Sequence, residues 1–211
     1  KETDSVAQRV EIYDVTLRDG AQGPGVKFSS DDQLRIVQEL DAFGVSYVEG
    51  GQPGSNPKAA ELFQRAKDMD LKNAVMAAFG STRHAKSAVE DDANIKALLA
   101  ADTPVVTIFA KFSPTHATQV LRVSLDENLT LIEESVAYLK SQGRRVVLDA
   151  EHFFDGYRED GEYALTALEC GWKAGAEVLV LCDTNGGSLP WFIQEAIEAS
   201  RKRVPDGKFG I

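Results

Sequence analysis

Apolar and polar positions along the chain switch repeatedly between the period of a strand and the period of a helix. Short runs rich in β-branched and apolar residues alternate with longer stretches in which apolar residues recur at helical spacing. This alternation is typical of repeated strand–helix–strand units around a parallel sheet. We predict seven strands, over residues 11–17, 46–49, 73–79, 105–110, 145–150, 177–182 and 208–211.

Capping residues mark where two of the intervening helices begin. Ser30 with Gln33 three residues later predicts a capping box, and Asn56 before Pro57 predicts a capped helix with proline in its first turn. Apolar residues at helical spacing, and aromatic residues within helices, are expected to pack in the core. These are Leu34, Val37, Leu40 and Phe43, then Leu129, Ile132, Val136 and Leu139, and the aromatics Trp172, Trp191 and Phe192.

Seven strands joined by helices fit either a right-handed βα barrel or a doubly wound open sheet, and the pattern alone leaves both open. A (β/α)₈ TIM barrel typically needs about 250 residues. The chain has 211 residues. A barrel is therefore expected to be truncated at the start of strand seven, with the eighth strand outside this sequence.

The amino-acid composition indicates that the chain forms one domain and excludes some classes of partner. Hydrophobic residues are 43% and charged residues 27% of the chain, a balance that allows a substantial core. No apolar run is long enough to span a bilayer, and residues 1–10 lack the apolar core of a secretory signal, so we expect a cytoplasmic protein. The net charge of −10 is dispersed, without a basic stripe for nucleic acid. Cys170 and Cys182 are expected to be reduced, packed thiols.

The chemistry is expected at the carboxyl ends of the strands and in the loops that follow, because βα barrels carry their functional residues there. Arg18 and Asp19 follow the first predicted strand. A carboxylate suits a hard cation, and a guanidinium suits the anionic group of a keto acid. An isolated Arg–Asp pair is more often a surface ion pair, but the position at a strand end favours a functional role.

Six sequence strings, one opening motif and five that follow it, give the chain a specific resemblance to a known family. DVTLRDGAQ at 14–22 is similar to the opening motif of the acyl-CoA family that contains isopropylmalate, homocitrate and citramalate synthases and hydroxymethylglutaryl-CoA lyase. The strings EGGQPGSNPK, SLDENL, SVAYLKSQGR, DAEHFFDGY and LCDTNGG resemble its citramalate synthase branch. They occur in order over nearly the whole chain, at strand ends and helices that were predicted independently. The resemblance selects the TIM barrel and implies that acetyl-CoA condenses with a 2-oxo acid, pyruvate in this branch.

The resemblance also implies roles for individual residues. Asp19 resembles a ligand of a divalent metal (Mg, Mn or Zn), and Arg18 resembles the catalytic arginine that polarises the keto group. Thr184 matches the residue that binds the carboxylate of the 2-oxo acid. Glu151 matches an acid near the acetyl group and is one candidate for the catalytic base. His116 is expected to face the acyl donor, with a solvated surface histidine as the equal alternative.

Other features implied by the family lie outside this sequence or differ within it. Two histidine ligands, in a His-X-His string, are expected directly after Ile211, so residues 1–211 are read as an incomplete catalytic barrel, with any C-terminal regulatory domain absent. Gln52 stands where this branch is expected to carry tryptophan, and KFSPTH also departs from its usual string. These two changes leave open which 2-oxo acid is the acceptor. A lyase of the same family is a further alternative, and the histidines missing from this sequence leave open a barrel that binds acyl-CoA without catalysis. A homodimer is the expected assembly.

Overall fold

The computed structural model describes residues 10–211, and its centre is one parallel sheet. The strands are β1 (Tyr13–Asp14), β2 (Tyr47–Glu49), β3 (Val75–Ser81), β4 (Val105–Lys111), β5 (Arg145–Glu151), β6 (Val178–Leu181) and β7 (Phe209–Gly210). Each strand pairs in parallel with the next along the chain, in the order β1 to β7. All seven predicted strands are confirmed. The predicted absence of a secretory signal rests on residues 1–10, and positions 1–9 lie outside the described residues.

Helices connect the strands along residues 10–211. They are α1 (Ser30–Phe43), α2 (Pro57–Ala66), α3 (Ala93–Ala100), α4 (Leu125–Ser141), α5 (Phe153–Glu159), α6 (Gly161–Ala174) and α7 (Pro190–Arg203). A 3₁₀ turn at Gly20–Gln22 and a π-helix at His116–Leu121 follow β1 and β4. None of the helices in this described part is both long and apolar enough to cross a bilayer.

The first strand is shorter than predicted because the chain turns at Asp14. The Asp14 carboxylate accepts hydrogen bonds from the backbone N–H of Thr16 at 2.9 Å and from its hydroxyl at 3.0 Å, a local pairing that competes with strand structure. The backbone N–H groups of Arg18, Asp19 and Gly20 then all donate to the carbonyl of Val15. Arg18 and Asp19 therefore lie in a turn, so the face-alternation rule of a strand does not apply to them.

The predicted helix starts are correct to within one residue. The capping box of α1 consists of Ser29 and Asp32, one position earlier than the predicted Ser30 and Gln33. The aspartate replaces glutamine because its carboxylate accepts from both the backbone N–H and the hydroxyl of Ser29. At α2, Asn56 caps as predicted, accepting from the backbone N–H of Ala59 at 2.9 Å.

Most of the predicted core residues are buried between the sheet and the helices, but two are not. Val37, Ile132, Val136 and Leu139 are fully buried, and Leu34, Leu40, Leu129, Trp172 and Phe192 pack against the core. Phe43 is 81% exposed and Trp191 is 69% exposed, so their predicted burial is wrong. Phe43 is six residues after Val37, which at about 100° per residue turns it roughly 120° away from the buried face of α1. Trp191 lies in the first turn of α7, on the side away from the buried Ala196.

The sheet curls as a barrel sheet does. The Tyr13 hydroxyl on β1 is 2.6 Å from the Thr107 hydroxyl on β4, although two strands separate them in the sheet. Neighbouring strands are about 4.8 Å apart, so these hydroxyls meet only across the inside of a strongly curved sheet. A second apolar cluster, of Tyr47, Ala77, Val105 and Val147, fills this inner face. Curl, parallel order and outer helices confirm the βα-barrel class.

Candidate active site

A buried ion pair anchors the first candidate residue, Arg18. Glu49, the last residue of β2, is fully buried, and its Oε1 accepts a hydrogen bond from Nε of Arg18. The Arg18 guanidinium carbon also lies 4.0 Å from the centre of the Phe79 ring. A guanidinium that pairs on one edge and stacks on an aromatic face has few orientations left to it. Arg18 is therefore held rigidly at the carboxyl end of the sheet.

The hydroxyl groups of Tyr13 and Thr107, on the inner face of the sheet, continue the hydrogen-bond network of Arg18 and Glu49. The Tyr13 hydroxyl donates to Oε2 of Glu49 at 2.9 Å and contacts Thr107 at 2.6 Å. Burial raises the pKa of Glu49, whereas Arg18 acts against that rise. Burial and then Glu49 raise the pKa of Tyr13 well above its ordinary value, so its hydroxyl stays protonated as a donor. Tyr13 and Thr107 lie within strands and were not singled out from the sequence, and the resemblance gave no role to Glu49, which begins the string EGGQPGSNPK.

A second carboxyl group on the inner face belongs to Asp149, which begins the string DAEHFFDGY but was given no role by the resemblance. Asp149 lies on β5 two residues before Glu151, so both side chains are on the same face of the strand. Burial is the main cause that raises the pKa of Asp149, to about 7, and the charge of Glu49 adds to it. No side-chain hydrogen bond to Asp149 is found within residues 10–211. Its position two residues before the candidate Glu151 was the available signal.

Glu151 lies at the end of β5, as expected, but it is already paired. The Lys111 ammonium, from the end of β4, donates a hydrogen bond to Oε2 of Glu151. Both side chains are largely buried. The two residues belong to neighbouring strands in register, which explains their proximity. Lys111, which the resemblance did not name, is thus part of the candidate site.

The loops after β4, β5 and β6 bring His116 and Thr184 to one cluster with His152. The His116 and His152 rings meet edge to face, with their centres 4.4 Å apart. The Thr184 hydroxyl accepts the backbone N–H of His152 at 2.9 Å, and His152 Nδ1 is 3.0 Å from Oδ2 of Asp155. Burial, followed by His152, lowers the pKa of His116. His116 is a half-buried side chain that packs against His152.

Asp19 is next to Arg18 but does not form a metal site with other described residues. Its side chain is 62% exposed, and its oxygen lies 3.5 Å from Arg18 Nη1. In residues 10–211 there is no cluster of three or more histidine, cysteine, aspartate or glutamate side chains arranged to hold a metal ion. Asp19 therefore supplies one exposed carboxylate, which is one of the several oxygen ligands that a divalent ion takes.

A cleft of about 450 Å³ opens beside Arg18. It lies between the turn after β1 and the loop between β2 and α2, and its lining includes Arg18, Gln22, Lys27, Gln52 and Lys58. Three of these side chains are basic, so the cleft suits an anionic ligand. A more open hollow of about 770 Å³ lies elsewhere, near Arg83 and Tyr138, and none of the candidate residues lines it. Gln52, which departs from the expected tryptophan, thus lines the cleft beside Arg18.

Comparison with known proteins shows the family. Residues 9–210 match the HMGL-like family, so the chain belongs to it. The chain is 50% identical over 206 residues to the (R)-citramalate synthase of Aquifex aeolicus, which covers 98% of the chain and 39% of that enzyme. It is 51% identical over 181 residues to the (R)-citramalate synthase of Sulfolobus acidocaldarius, with 86% and 35% covered. The homocitrate synthase of the same organism is 32% identical over 203 residues, with 96% and 42% covered.

Solved structures support the fold. The hydroxymethylglutaryl-CoA lyases of Bacillus subtilis and Pseudomonas aeruginosa both match with a TM-score of 0.75 and 21% identity. The match covers 95% of this chain in both cases, and 67% and 66% of the two lyase chains. At this identity the likeness shows the barrel architecture alone. The chain spans 35% to 39% of the length of the two citramalate synthases above.

Proposed function

We propose that the protein containing this chain is an acyltransferase that condenses acetyl-CoA with pyruvate, after which water hydrolyses the citramalyl thioester to give citramalate and free CoA. Support for this acceptor comes from the higher identity to the citramalate synthases, 50% and 51%, than to a homocitrate synthase, 32%. The observation that carries the chemistry is the rigidly held Arg18 beside a basic cleft. Another 2-oxo acid, a lyase reaction and acyl-CoA binding without catalysis are the competing functions.

In the proposed reaction, Arg18 acts on the keto oxygen of pyruvate. Attack by the acetyl carbon turns this oxygen into an alkoxide, and a donor that is fixed in advance stabilises the growing negative charge most in the transition state. Glu49 and Phe79 hold the guanidinium, so little reorganisation is needed. The Thr184 hydroxyl already accepts the His152 N–H, which leaves its own hydrogen free to donate to the pyruvate carboxylate. His116 and Glu151 lie further along the same rim and are proposed to contact the acetyl-CoA.

A divalent metal is part of the proposal, with Asp19 as a carboxylate ligand. A divalent ion held in part by Asp19 would supply Lewis acidity toward the 2-oxo acid. The described residues offer this one candidate ligand. We further propose that the protein is a cytoplasmic homodimer and takes part in branched-chain amino acid (isoleucine) biosynthesis.

The test is product formation by the protein and by its Arg18→Lys variant. With acetyl-CoA and pyruvate, the unmodified protein is expected to release free thiol and to form citramalate, identified by mass spectrometry. Arg18→Lys keeps the charge but loses the planar fork of donors, so turnover should fall by about 10² to 10³. Arg35→Lys, an exposed change on α1, is the matched control and should keep full turnover. Near-normal turnover of Arg18→Lys would remove Arg18 from this role.

A further inference from the structure

His152 occupies a left-handed backbone conformation, which is uncommon for residues other than glycine. It follows β5 directly, and its φ of 55° lies in the left-handed region. Such a conformation costs on the order of 1 kcal/mol or more and persists where the surroundings hold it, often at functional sites. Here the backbone N–H of His152 donates to the Thr184 hydroxyl at 2.9 Å. The strained residue is thus tied to the proposed binding residue for the pyruvate carboxylate.

A carboxylate fixes the orientation of the His152 ring. Oδ2 of Asp155 lies 3.0 Å from Nδ1 of His152 and also accepts from the Asn185 side chain at 2.7 Å. An imidazole that pairs with a carboxylate through Nδ1 carries its hydrogen there, so Nε2 is the proton acceptor. Within residues 10–211, no hydrogen-bond partner occupies Nε2 of His152. The arrangement is that of an oriented base with its accepting nitrogen free.

The neighbouring groups leave His152 as the available base in this cluster. The pKa of His116 is lowered, first by burial, and its Nδ1 is buried without a partner in the described structure. Glu151 is committed to its ion pair with Lys111. His152 is the group here that combines an orienting carboxylate, an accepting nitrogen and a place beside Thr184.

We propose that His152, oriented by Asp155, takes the proton from the acetyl methyl group in the condensation. This assignment rests on the proposed function. The methyl C–H bond breaks, the proton moves to Nε2 of His152, and the electron pair stays on the thioester as an enolate. That pair then forms the new bond to the keto carbon of pyruvate, whose carbonyl electrons move to the oxygen beside Arg18. Asp155 acts through His152 and is a positioning residue.

The test is His152→Asn, because asparagine tolerates the left-handed conformation and keeps the backbone N–H that contacts Thr184. In the protein that contains this chain, turnover should fall by about 10² to 10⁴, the usual contribution of a general base. The Michaelis constant for pyruvate should change little. Asp155→Asn should lower turnover less, and the exposed histidine change His84→Asn should leave it unchanged.

A kinetic isotope effect distinguishes a catalytic role of His152 from a purely structural one. Proton removal should become more rate-limiting in His152→Asn and Asp155→Asn, so the rate ratio of CH₃- to CD₃-acetyl-CoA should rise above that of the unmodified protein. Lower turnover with an unchanged ratio would give His152 a structural role and overturn the assignment. Full turnover of His152→Asn in an active enzyme would overturn it as well. An unmodified protein that releases no thiol would overturn the proposed function and this assignment with it.

Discussion

Replacing Asp149 by asparagine removes one carboxyl group from the inner face of the barrel with little change of shape. In the folded protein, burial and the charge of Glu49 raise the pKa of Asp149 from 3.8 to about 7. Arg18 acts in the opposite direction, and Glu151 and Cys182 also face this group. The raised pKa means that folding favours the protonated carboxyl.

The sign and size of the effect on stability follow from proton linkage. Below pH 3.8 the carboxyl is protonated in both the folded and unfolded states and has no effect. Between pH 3.8 and about 7 the unfolded chain loses the proton and the folded chain keeps it, so stability falls as the pH rises. At 1.36 kcal/mol per pKa unit the complete loss is about 4 kcal/mol. Partial exposure of Asp149 screens the charge, so we expect about 2–4 kcal/mol.

The measurement is the free energy of unfolding by urea at pH 4 and at pH 8, for the unmodified protein and for Asp149→Asn. The variant should gain about 2–4 kcal/mol relative to the unmodified protein between these two pH values, because asparagine does not ionise. Asp206→Asn, at an exposed position, is the control and should show no such gain. A stability difference between Asp149→Asn and the unmodified protein that is the same at both pH values would refute the reasoning.

The other predictions concern the anchor of Arg18 and the acceptor site. Glu49→Gln removes the buried charge that pairs with Arg18. Turnover, measured by kinetics, should fall by roughly 10-fold or more, and the free energy of unfolding, measured by urea titration, should fall by about 3 kcal/mol. Turnover of Glu49→Gln equal to that of the unmodified protein would show that Arg18 does not need Glu49 for its role. Thr184→Ala should raise the Michaelis constant for pyruvate by roughly 10-fold and leave that for acetyl-CoA unchanged, in initial-rate assays with each substrate varied. Equal effects on both constants would contradict a contact with the acceptor carboxylate.

The strands were predictable because parallel strands that are covered on both faces carry nearly continuous apolar runs. The exact ends of the strands were less predictable, as β1 shows. The apolar run extends to Leu17, but the Asp14 side chain captures the Thr16 N–H and starts a turn earlier. Core membership followed the helical period except at Phe43 and Trp191, which lie at helix ends.

The positions of the candidate residues were predictable where a motif lay at a strand end, but contacts between residues that meet because the sheet curls were not. Arg18 and Thr184 were named from strings at strand ends. The contact of Tyr13 with Thr107 joins residues 94 positions apart, and it depends on sheet curvature that no local pattern encodes. The pairing of His116 with His152 depends on the left-handed conformation of His152 and on the π-helix after β4. Neither has a sequence signal of its own.

The most direct test of the central claim compares three acceptors in one assay. Release of free thiol from acetyl-CoA by the protein that contains this chain is measured with pyruvate, 2-oxoisovalerate and 2-oxoglutarate, each over a range of concentrations. We expect the highest kcat/KM for pyruvate, with citramalate as the product. Preference for either larger acid would contradict the acceptor assignment, and no release with any of the three would contradict the condensation itself.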